Sequence, residues 1–320
     1  MTKARAQLIS LEATPYYHCV SRCVRRSFLC GYDSEQNQCF EHRRGWIEER
    51  LLNLAQTFCI DVCAYAVMSN HYHVVLHINL EQEKALSDQE ICDRWLHFHT
   101  PPLLIQRWLK QDALSEAEAV KTHEIIDAWR ERLTSISWFM RLLNQFIATQ
   151  ANKEDGCTGH FWEGRFKSQA LLDEQALAAA MAYVDLNPVR ASMADTPEAS
   201  EYTSVKARIQ ALKDNKTTAP CLHPFVGYPR KDIPSGIPFR LMDYLELVDW
   251  TGRQIREDKR GHISSALPSI LNRLGIDHAT WMSVCTQLEK GNMVGCEATI
   301  KHAMPKLNRK RISGFRLPDS

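Results

Sequence analysis

Three histidines alternate within one short stretch, MSNHYHVVLH, which runs from Met68 to His77. Successive side chains of a β-strand point to opposite faces, so His71, His73 and His77 share one face of a strand while Tyr72 belongs to the other. Neutral imidazole is a common metal-binding side chain, and two at adjacent same-face positions can reach one ion. The spacing therefore permits metal binding, and ordinary histidines on a sheet face are the open alternative.

A tyrosine and an asparagine form a second candidate pair, in the alanine-rich segment EQALAAAMAYVDLN. The alanines favour a helix that begins after Asp173 and is stopped by Pro188. At 100° per residue, Tyr183 falls outside the apolar stripe of this helix, and Asn187 lies about 40° from Tyr183. The pair emerges at the border of the buried face, where it either lines a site or leaves a tyrosine packed at the rim with its hydroxyl in water.

Strands and helices alternate in the sequence around these residues. Apolar alternation and β-branched content predict strands in PYYHCVSR, CIDVCAYAVM, HYHVVLHI and HFWEGRFKSQALL. Apolar residues at helical spacing predict amphipathic helices over residues 42–58 and 135–152. The resulting β-α-β-β-α-β order predicts an α+β, ferredoxin-like fold, in which a split β-α-β antiparallel sheet carries helices on one face. A helical insertion and a C-terminal helical appendage complete the expected fold.

Composition divides the chain into regions. Residues 80–134 carry 11 acidic against 7 basic residues, which predicts an acidic helical insertion into a main domain formed by residues 1–79 and 135–202. Proline and glycine mark residues 203–238 as a predicted linker. Residues 239–320 are predicted to form a small helical region that ends in a basic tail.

Charge, cysteine content and hydropathy limit the classes of protein to which the chain can belong. The net charge is only +1, yet residues 201–320 carry 19 Lys and Arg against 12 Asp and Glu. The basic stretch from Lys301 to Arg316 suits a polyanionic partner, with a solvated tail as the alternative. Eleven cysteines without CxxC pairs favour reduced thiols, although Cys59 and Cys63 with nearby histidines leave a zinc site open. No apolar run is long enough to span a membrane, so we expect a cytoplasmic protein with no membrane partner.

Three motifs occur in order on the predicted elements: AVMSNHYHVVLH, GHFWEGRFKSQALLDEQ and YVDLNPVRA. Together they resemble the single-tyrosine HUH transposases, and most closely the REP-associated tyrosine transposases of bacteria. The resemblance covers roughly residues 14–202 apart from the insertion, and it does not interpret the C-terminal third. It implies a metal-dependent single-strand DNA endonuclease and strand transferase, which would associate with the nucleoid.

The resemblance also implies a role for individual residues. His71 and His73 match the His-hydrophobe-His metal motif, Asn187 matches the polar residue that completes the metal's protein ligands, and Tyr183 matches the nucleophile. One divalent metal ion, Mg²⁺ or Mn²⁺, is the implied cofactor. Attack by Tyr183 on single-stranded DNA would leave a 5′-phosphotyrosine and a free 3′-hydroxyl. The implied substrate contains palindromic repeats folded as hairpins, and relatives leave both a monomer and a homodimer open.

Cations interleaved with aromatic side chains predict a DNA-binding surface, because cations suit phosphates and aromatic rings suit unstacked bases. The candidate contacts are Arg22, Arg25, Arg26, Arg165, Lys167 and Trp162. An alternative function shares all these residues: a non-catalytic hairpin DNA-binding protein with a regulatory or architectural role.

Overall fold

The computed structural model describes residues 9–24, 29–33, 37–216, 218–228, 235–255, 267–289, 291–307 and 314–317. Two predicted DNA contacts, Arg25 and Arg26, lie outside these residues, as does part of the predicted basic tail. The strands are β1 (Tyr16–Arg22), β2 (Tyr32–Asp33), β3 (Gln38–Cys39), β4 (Ile60–Val67), β5 (His71–Ile78), β6 (Lys167–Leu171), β7 (Met293–Cys296) and β8 (Gly314–Leu317). The α-helices are α1 (His42–Thr57), α2 (Leu80–Ala85), α3 (Asp88–Leu96), α4 (Leu103–Leu109), α5 (Glu116–Leu133), α6 (Ile136–Glu154), α7 (Glu174–Asp185), α8 (Asn187–Arg190), α9 (Ser204–Lys213), α10 (Leu241–Ile255), α11 (Ser269–Leu274), α12 (His278–Gln287) and α13 (Glu297–Lys306).

Four strands form the core sheet that the sequence predicts. They lie in the order β4, β5, β1, β6, and each is antiparallel to its neighbours. Helix α1 connects β1 to β4, and α6 lies between β5 and β6 in the chain, as a split β-α-β fold requires. The predicted α+β, ferredoxin-like fold is confirmed.

The sheet separates two hydrophobic clusters. Tyr72 belongs to the cluster on the side of α1 and α6, whereas Val75 belongs to the cluster on the side of α7. Because side chains alternate along β5, His71, His73 and His77 face the α7 side. The predicted division of this strand into a packing face and a histidine face therefore matches the observed packing.

Helix α7 is buried on all sides. Every residue from Gln175 to Asp185 is buried, since α7 contacts β4, β5 and β6 on one side and α10 and α12 on the other. Small alanine side chains allow these layers to approach closely. The sequence places Tyr183 at the border of the buried face, whereas the structure leaves only 6% of it exposed because the C-terminal helices cover the outer side.

The C-terminal region contributes strands as well as helices. β7 pairs in parallel with β6, and β8 pairs in parallel with β7, which extends the sheet to six strands. A Cβ atom at Gly314 would lie 2.8 Å from the Cγ atom of Met293, so glycine permits this close pairing. Helices pack on both faces of this sheet, since α1 and α6 lie on one side and α7 lies on the other.

Residues 80–134 form helices α2 to α5 beside α6. Two of these helices begin with capping boxes, formed by Ser87 with Glu90 and by Ser115 with Glu118. In the described ranges, no helix is both long enough and apolar enough to cross a membrane.

The chain after α7 covers the edge strand β4. Thr203 bridges to Ala66, and Leu222 bridges to Val62. The backbone N–H of His223 donates to the carbonyl of Val62 at 2.9 Å. Part of the predicted linker therefore forms α9 and an extended segment that lies along the sheet.

Candidate active site

Three neighbouring strands bring polar side chains to the face that α7 covers. His18 on β1 lies opposite Gln169 on β6 and diagonally next to His73 on β5. The Nε2 atom of His18 is 3.0 Å from Nδ1 of His73, and its Nδ1 atom is 3.3 Å from Oε1 of Gln169. Gln169 also donates from Nε2 to the carbonyl of Leu288 at 2.7 Å. These contacts orient the His73 ring and connect it to the loop that follows α12.

Tyr183 projects from α7 toward this row of polar side chains. Its ring centroid is 5.8 Å from that of His73, and the ring of His73 is 4.8 Å from that of His71. The Tyr183 hydroxyl donates to Oε1 of Glu289 at 2.8 Å, and this oxygen is 3.6 Å from Nε2 of His73. The structure therefore brings the predicted nucleophile and the two predicted metal-binding histidines into one site.

Both motif histidines are neutral near pH 7. Burial, with the positive charge of Arg22, lowers the pKa of His71 to about 4. Burial and the neighbouring His18 and His71 hold the pKa of His73 well below its usual value. An unprotonated imidazole nitrogen has the lone pair that a metal ion needs.

The phenol of Tyr183 keeps its proton at neutral pH. Burial and the negative charge of Glu289 raise the pKa of Tyr183 to about 12, and Arg190 acts in the opposite direction. The guanidinium carbon of Arg190 lies 4.3 Å from the centroid of the Tyr183 ring. A base in contact with the hydroxyl and a cation beside the ring are groups that favour attack by a phenol.

Two buried nitrogens in this region, Nε2 of His73 and Nδ2 of Asn187, have no hydrogen-bond partner within the described part of the chain. Asn187 begins α8 four residues after Tyr183 and is 7% exposed. A buried polar atom without a partner costs about 1–3 kcal/mol, so a bound ligand would relieve it. Reversal of the Asn187 amide presents its oxygen in place of its nitrogen. Two neutral imidazoles and an amide oxygen are donor types that suit a divalent cation.

The predicted cationic DNA contacts that the structure describes lie close to the sheet face that α7 covers. Arg22 is exposed at the end of β1, opposite His71 in the strand register. Lys167 is exposed at the start of β6 and, two residues before Gln169, shares its face. Arg165 is exposed just before β6.

Two aromatic residues of the motifs pack on the other side of the sheet. The indole N–H of Trp162 donates to the carbonyl of Asn144 at 2.8 Å, and its ring centroid is 5.7 Å from that of Tyr72. The hydroxyl of Tyr72 donates to Oδ1 of Asn144 at 2.6 Å. Tyr72 is therefore separated from the candidate site, as the strand alternation predicts.

Sequence reasoning missed three residues of the site. Glu289 lies 106 residues from Tyr183 and outside every motif, so no signal in the sequence identified it. His18 is a lone histidine in the first strand. Arg190 occurs within YVDLNPVRA, one helical turn after Asn187. This spacing could have indicated that Arg190 lies on the same side as Asn187.

A second group of metal-binding side chains lies farther along the same sheet face. Asp61, His77 and His223 each offer one donor atom, and these atoms lie within 4.8 Å of one another. Oδ2 of Asp61 is 2.8 Å from Nδ1 of His77 and 3.2 Å from Nδ1 of His223. We call this group the Asp61 cluster. His77 shares its face with His71 and His73 but contacts this cluster.

The structure does not bring Cys59 and Cys63 together. The two thiols belong to the separate hydrophobic clusters on opposite sides of the sheet. Burial also raises the pKa of Cys59 to about 11, which favours the protonated thiol over the metal-binding thiolate. This geometry argues against the zinc site that the sequence left open.

No family model matches the chain, and no curated protein does. A solved structure of a REP-associated tyrosine transposase bound to a REP hairpin is similar to it, with a TM-score of 0.36 and 12% sequence identity. The similar region covers 66% of this chain and 86% of that chain. A likeness of this extent does not assign a function to the chain.

Proposed function

We propose that this protein is a transposase-like single-strand DNA endonuclease and strand transferase in which Tyr183 is the nucleophile. One observation carries the proposal: the hydroxyl of Tyr183 is 2.8 Å from Glu289, whose carboxylate is 3.6 Å from His73. A nucleophile within hydrogen-bond reach of a base is the usual arrangement in covalent catalysis. The three sequence motifs support the same nucleophile.

The proposed cofactor is one divalent ion, Mg²⁺ or Mn²⁺, held by His71, His73 and Asn187. Their neutral imidazoles and the unpartnered nitrogen of His73 support this assignment. When bound, the ion supplies positive charge that polarises the phosphate and stabilises the leaving oxygen. Imidazole ligands favour Mn²⁺ over Mg²⁺, which prefers oxygen.

The side chains of this site have distinct parts in the proposed reaction. Glu289 accepts the phenolic proton as the oxygen of Tyr183 bonds to phosphorus and the bond from phosphorus to the 3′ oxygen breaks. The products are a 5′-phosphotyrosine and a 3′-hydroxyl, which takes its proton from water. Arg190 stabilises the negative charge that develops at the phenol and the phosphate.

The reverse reaction joins strands. The oxygen of a different 3′-hydroxyl bonds to phosphorus and its proton passes to water, while the bond from phosphorus to the Tyr183 oxygen breaks and Tyr183 recovers a proton from Glu289. One phosphodiester replaces another, so strand transfer needs no nucleotide cofactor.

The proposed substrate is single-stranded DNA whose palindromic repeats fold as hairpins. Arg22 and Lys167 border the site face, and Arg165 is exposed nearby, so they can contact phosphates. In this proposal residues 1–79 and 135–202 form the nuclease domain, and the C-terminal region adds Glu289 to its site. The protein acts on nucleoid DNA in the cytoplasm as a monomer or homodimer.

Covalent capture of DNA tests this function. Purified protein is incubated with Mn²⁺ and a hairpin oligonucleotide labelled at its 3′ end, and adducts are separated on a denaturing gel. We expect a labelled adduct with the wild type and with Tyr32→Phe, an exposed control, and no adduct with Tyr183→Phe. Hairpin binding by the wild type without any adduct would contradict the proposal and support the non-catalytic hairpin-binding alternative.

A further inference from the structure

We propose that the Asp61 cluster is a zinc-binding site, separate from the candidate active site. Its three side chains supply two imidazole nitrogens and one carboxylate oxygen. Nitrogen and oxygen donors of this kind suit Zn²⁺, whereas Mg²⁺ favours oxygen ligands and water. The proposal does not depend on the nuclease function.

The spacing of the donor atoms is close to that of a tetrahedral zinc site. Bonds of about 2.0–2.1 Å at tetrahedral angles place donor atoms roughly 3.3–3.4 Å apart. In the structure, Asp61 Oδ2 lies 2.8 Å from His77 Nδ1 and 3.2 Å from His223 Nδ1. All three donor atoms lie within 4.8 Å of one another, so side-chain shifts of about half an ångström or more would admit an ion between them.

The cluster is buried on one side and open on the other. His223 is 4% exposed and lies on its buried side. The Asp61 and His77 side chains keep 23% and 13% of their surface exposed, which leaves room for a water molecule as a fourth ligand. Three protein ligands and one water are a common zinc arrangement.

The ion would fasten one segment of the chain to the sheet. Asp61 and His77 lie on the paired strands β4 and β5, so the sheet holds two ligands rigidly. His223 belongs to the segment that covers the edge of β4 through Leu222. His77 is four residues from His73, which is about 13 Å along an extended strand, so this site would not share the ion at Tyr183.

Metal analysis of a variant without the motif histidines isolates the proposed site. The double variant His71→Gln/His73→Gln is freed of metal, dialysed against Zn²⁺ and measured by elemental analysis. We expect about one equivalent of zinc in this protein, and the same amount when the exposed control His123→Gln is added. Adding His223→Gln should remove the zinc. An unchanged zinc content after His223→Gln would overturn the proposal, as would a double variant that binds no zinc.

Co²⁺ gives a second readout that does not require another variant to fold. Co²⁺ in a site with nitrogen and oxygen donors and low coordination number shows visible absorption bands that hexaaqua Co²⁺ nearly lacks. We expect such bands from the double variant loaded with Co²⁺, and their loss on addition of equimolar Zn²⁺. A spectrum like that of aqueous Co²⁺ would contradict the site.

A second inference rests on a groove between the insertion and α6, on the far side of the sheet from Tyr183. We infer that this groove binds a single-stranded DNA segment, which rests on the proposed function because that function makes DNA the substrate. The groove encloses about 750 Å³ and is lined by aromatic rings and three arginines. The residues on which the inference depends are Phe98, Trp138, Phe146, Arg50, Arg132 and Arg141.

The three guanidinium groups lie against aromatic faces. The guanidinium carbon of Arg50 is 4.0 Å from the ring centroid of Phe98, and those of Arg132 and Arg141 are 4.6 Å and 4.8 Å from that of Trp138. Among the described residues, no Asp or Glu lines the groove. Over the described residues, none of the three makes an ion pair, and the Nε atom of Arg50 is buried without a hydrogen-bond partner.

This composition fits a nucleic-acid strand. Guanidinium groups without carboxylate partners are available to phosphates, and the aromatic rings beneath them hold the three cations in the groove. Residues 80–134 are acidic overall, with 11 acidic against 7 basic residues, so the net charge of the insertion does not attract DNA. Three arginines gathered in one groove therefore direct a strand to that place.

Charge reversal with a matched control tests the groove. Binding of labelled oligothymidylate to the full-length protein is measured at about 0.1 M salt, where electrostatic contacts remain strong. We expect Arg141→Glu to weaken binding about tenfold or more, whereas Lys121→Glu, an exposed position on α5 outside the groove, changes it less than about twofold. Equal losses in the two variants would overturn the inference.

Cleavage of a short hairpin separates this result from the proposed function. A hairpin with minimal single-stranded flanks offers the groove no free strand, so Arg141→Glu should form the Tyr183 adduct at the wild-type rate. If neither the wild type nor any variant forms the adduct, the nuclease proposal fails instead.

Discussion

Glu289 connects the two halves of the candidate site. It accepts the hydrogen bond from Tyr183, and its Oε1 atom is 3.6 Å from Nε2 of His73. The Glu289 side chain is 42% exposed, so a proton taken from the phenol can pass on to solvent. Since the pKa of Tyr183 is raised to about 12, attack by this phenol would require a base, and Glu289 is the carboxylate in contact with its hydroxyl.

Replacing that base should slow chemistry more than binding. We expect Glu289→Gln to reduce the rate of covalent adduct formation by about 10²-fold or more, because glutamine keeps the shape but does not accept the proton. Hairpin affinity should stay within about twofold. Single-turnover kinetics measure the rate, and Glu297→Gln, on α13 and paired with Lys301, serves as the control. Equal rates for the two variants would rule out Glu289 as the base.

Sequence reasoning located the parts of the site that lie in local motifs. His71 and His73 are separated by one residue, and Tyr183 and Asn187 by one helical turn, so short-range periodicity was enough to pair each set. The contact between Tyr183 and Glu289 spans 106 residues, and no periodicity covers such a separation. Only the packing of the C-terminal region on α7 shows that Glu289 belongs to the site.

At the scale of elements, Asp173 ties the start of α7 to the C-terminal strands. Its Oδ1 atom accepts the N–H of Ala176 at 2.8 Å and so caps the helix. Its Oδ2 atom accepts the N–H of Cys296 at 2.8 Å and the hydroxyl of Thr299 at 2.9 Å. Because α7 carries Tyr183, these bonds help to fix the position of the proposed nucleophile.

Two aspartate caps with different numbers of partners give a direct comparison. We expect Asp173→Ala to lower the free energy of unfolding by about 2–4 kcal/mol, because it removes a cap and two hydrogen bonds between elements. Asp277 caps α12 through Thr280 on the surface, so Asp277→Ala should cost only about 1 kcal/mol. Urea unfolding measures both values. A similar loss in the two variants would show that the bonds of Asp173 to β7 and α13 contribute little.

The core elements could be predicted because each is long enough to show a period. β5 has eight residues and α6 has nineteen, and both carry clear apolar alternation or a helical stripe. β7 and β8 have four residues each, which is too short for a period to be recognised. Their pairing with β6 arises from the packing of the whole chain.

At the scale of the whole molecule, one hydrophobic cluster joins the C-terminal region to the core sheet. It contains Val75 of β5 and Met181 of α7 together with Leu247 of α10, Trp281 of α12 and Val294 of β7. The C-terminal region buries the outer side of α7, and it also supplies Glu289. The C-terminal region and the core sheet with α7 therefore stabilise each other.

Shared burial should make the described regions unfold together. We expect differential scanning calorimetry to show a single transition whose calorimetric and van't Hoff enthalpies agree, because separating the C-terminal region would expose the apolar side of α7. Two resolved transitions would contradict this account of the core.

The most direct test of the central claim is to identify the amino acid that becomes attached to DNA. The adduct formed with a hairpin oligonucleotide is digested with nuclease and protease, and the peptide that keeps a nucleotide remnant is sequenced by mass spectrometry. The account predicts the remnant on the phenolic oxygen of Tyr183, linked through a 5′ phosphate. A remnant on Tyr72 or on any other residue, with Tyr183 unmodified, would contradict it.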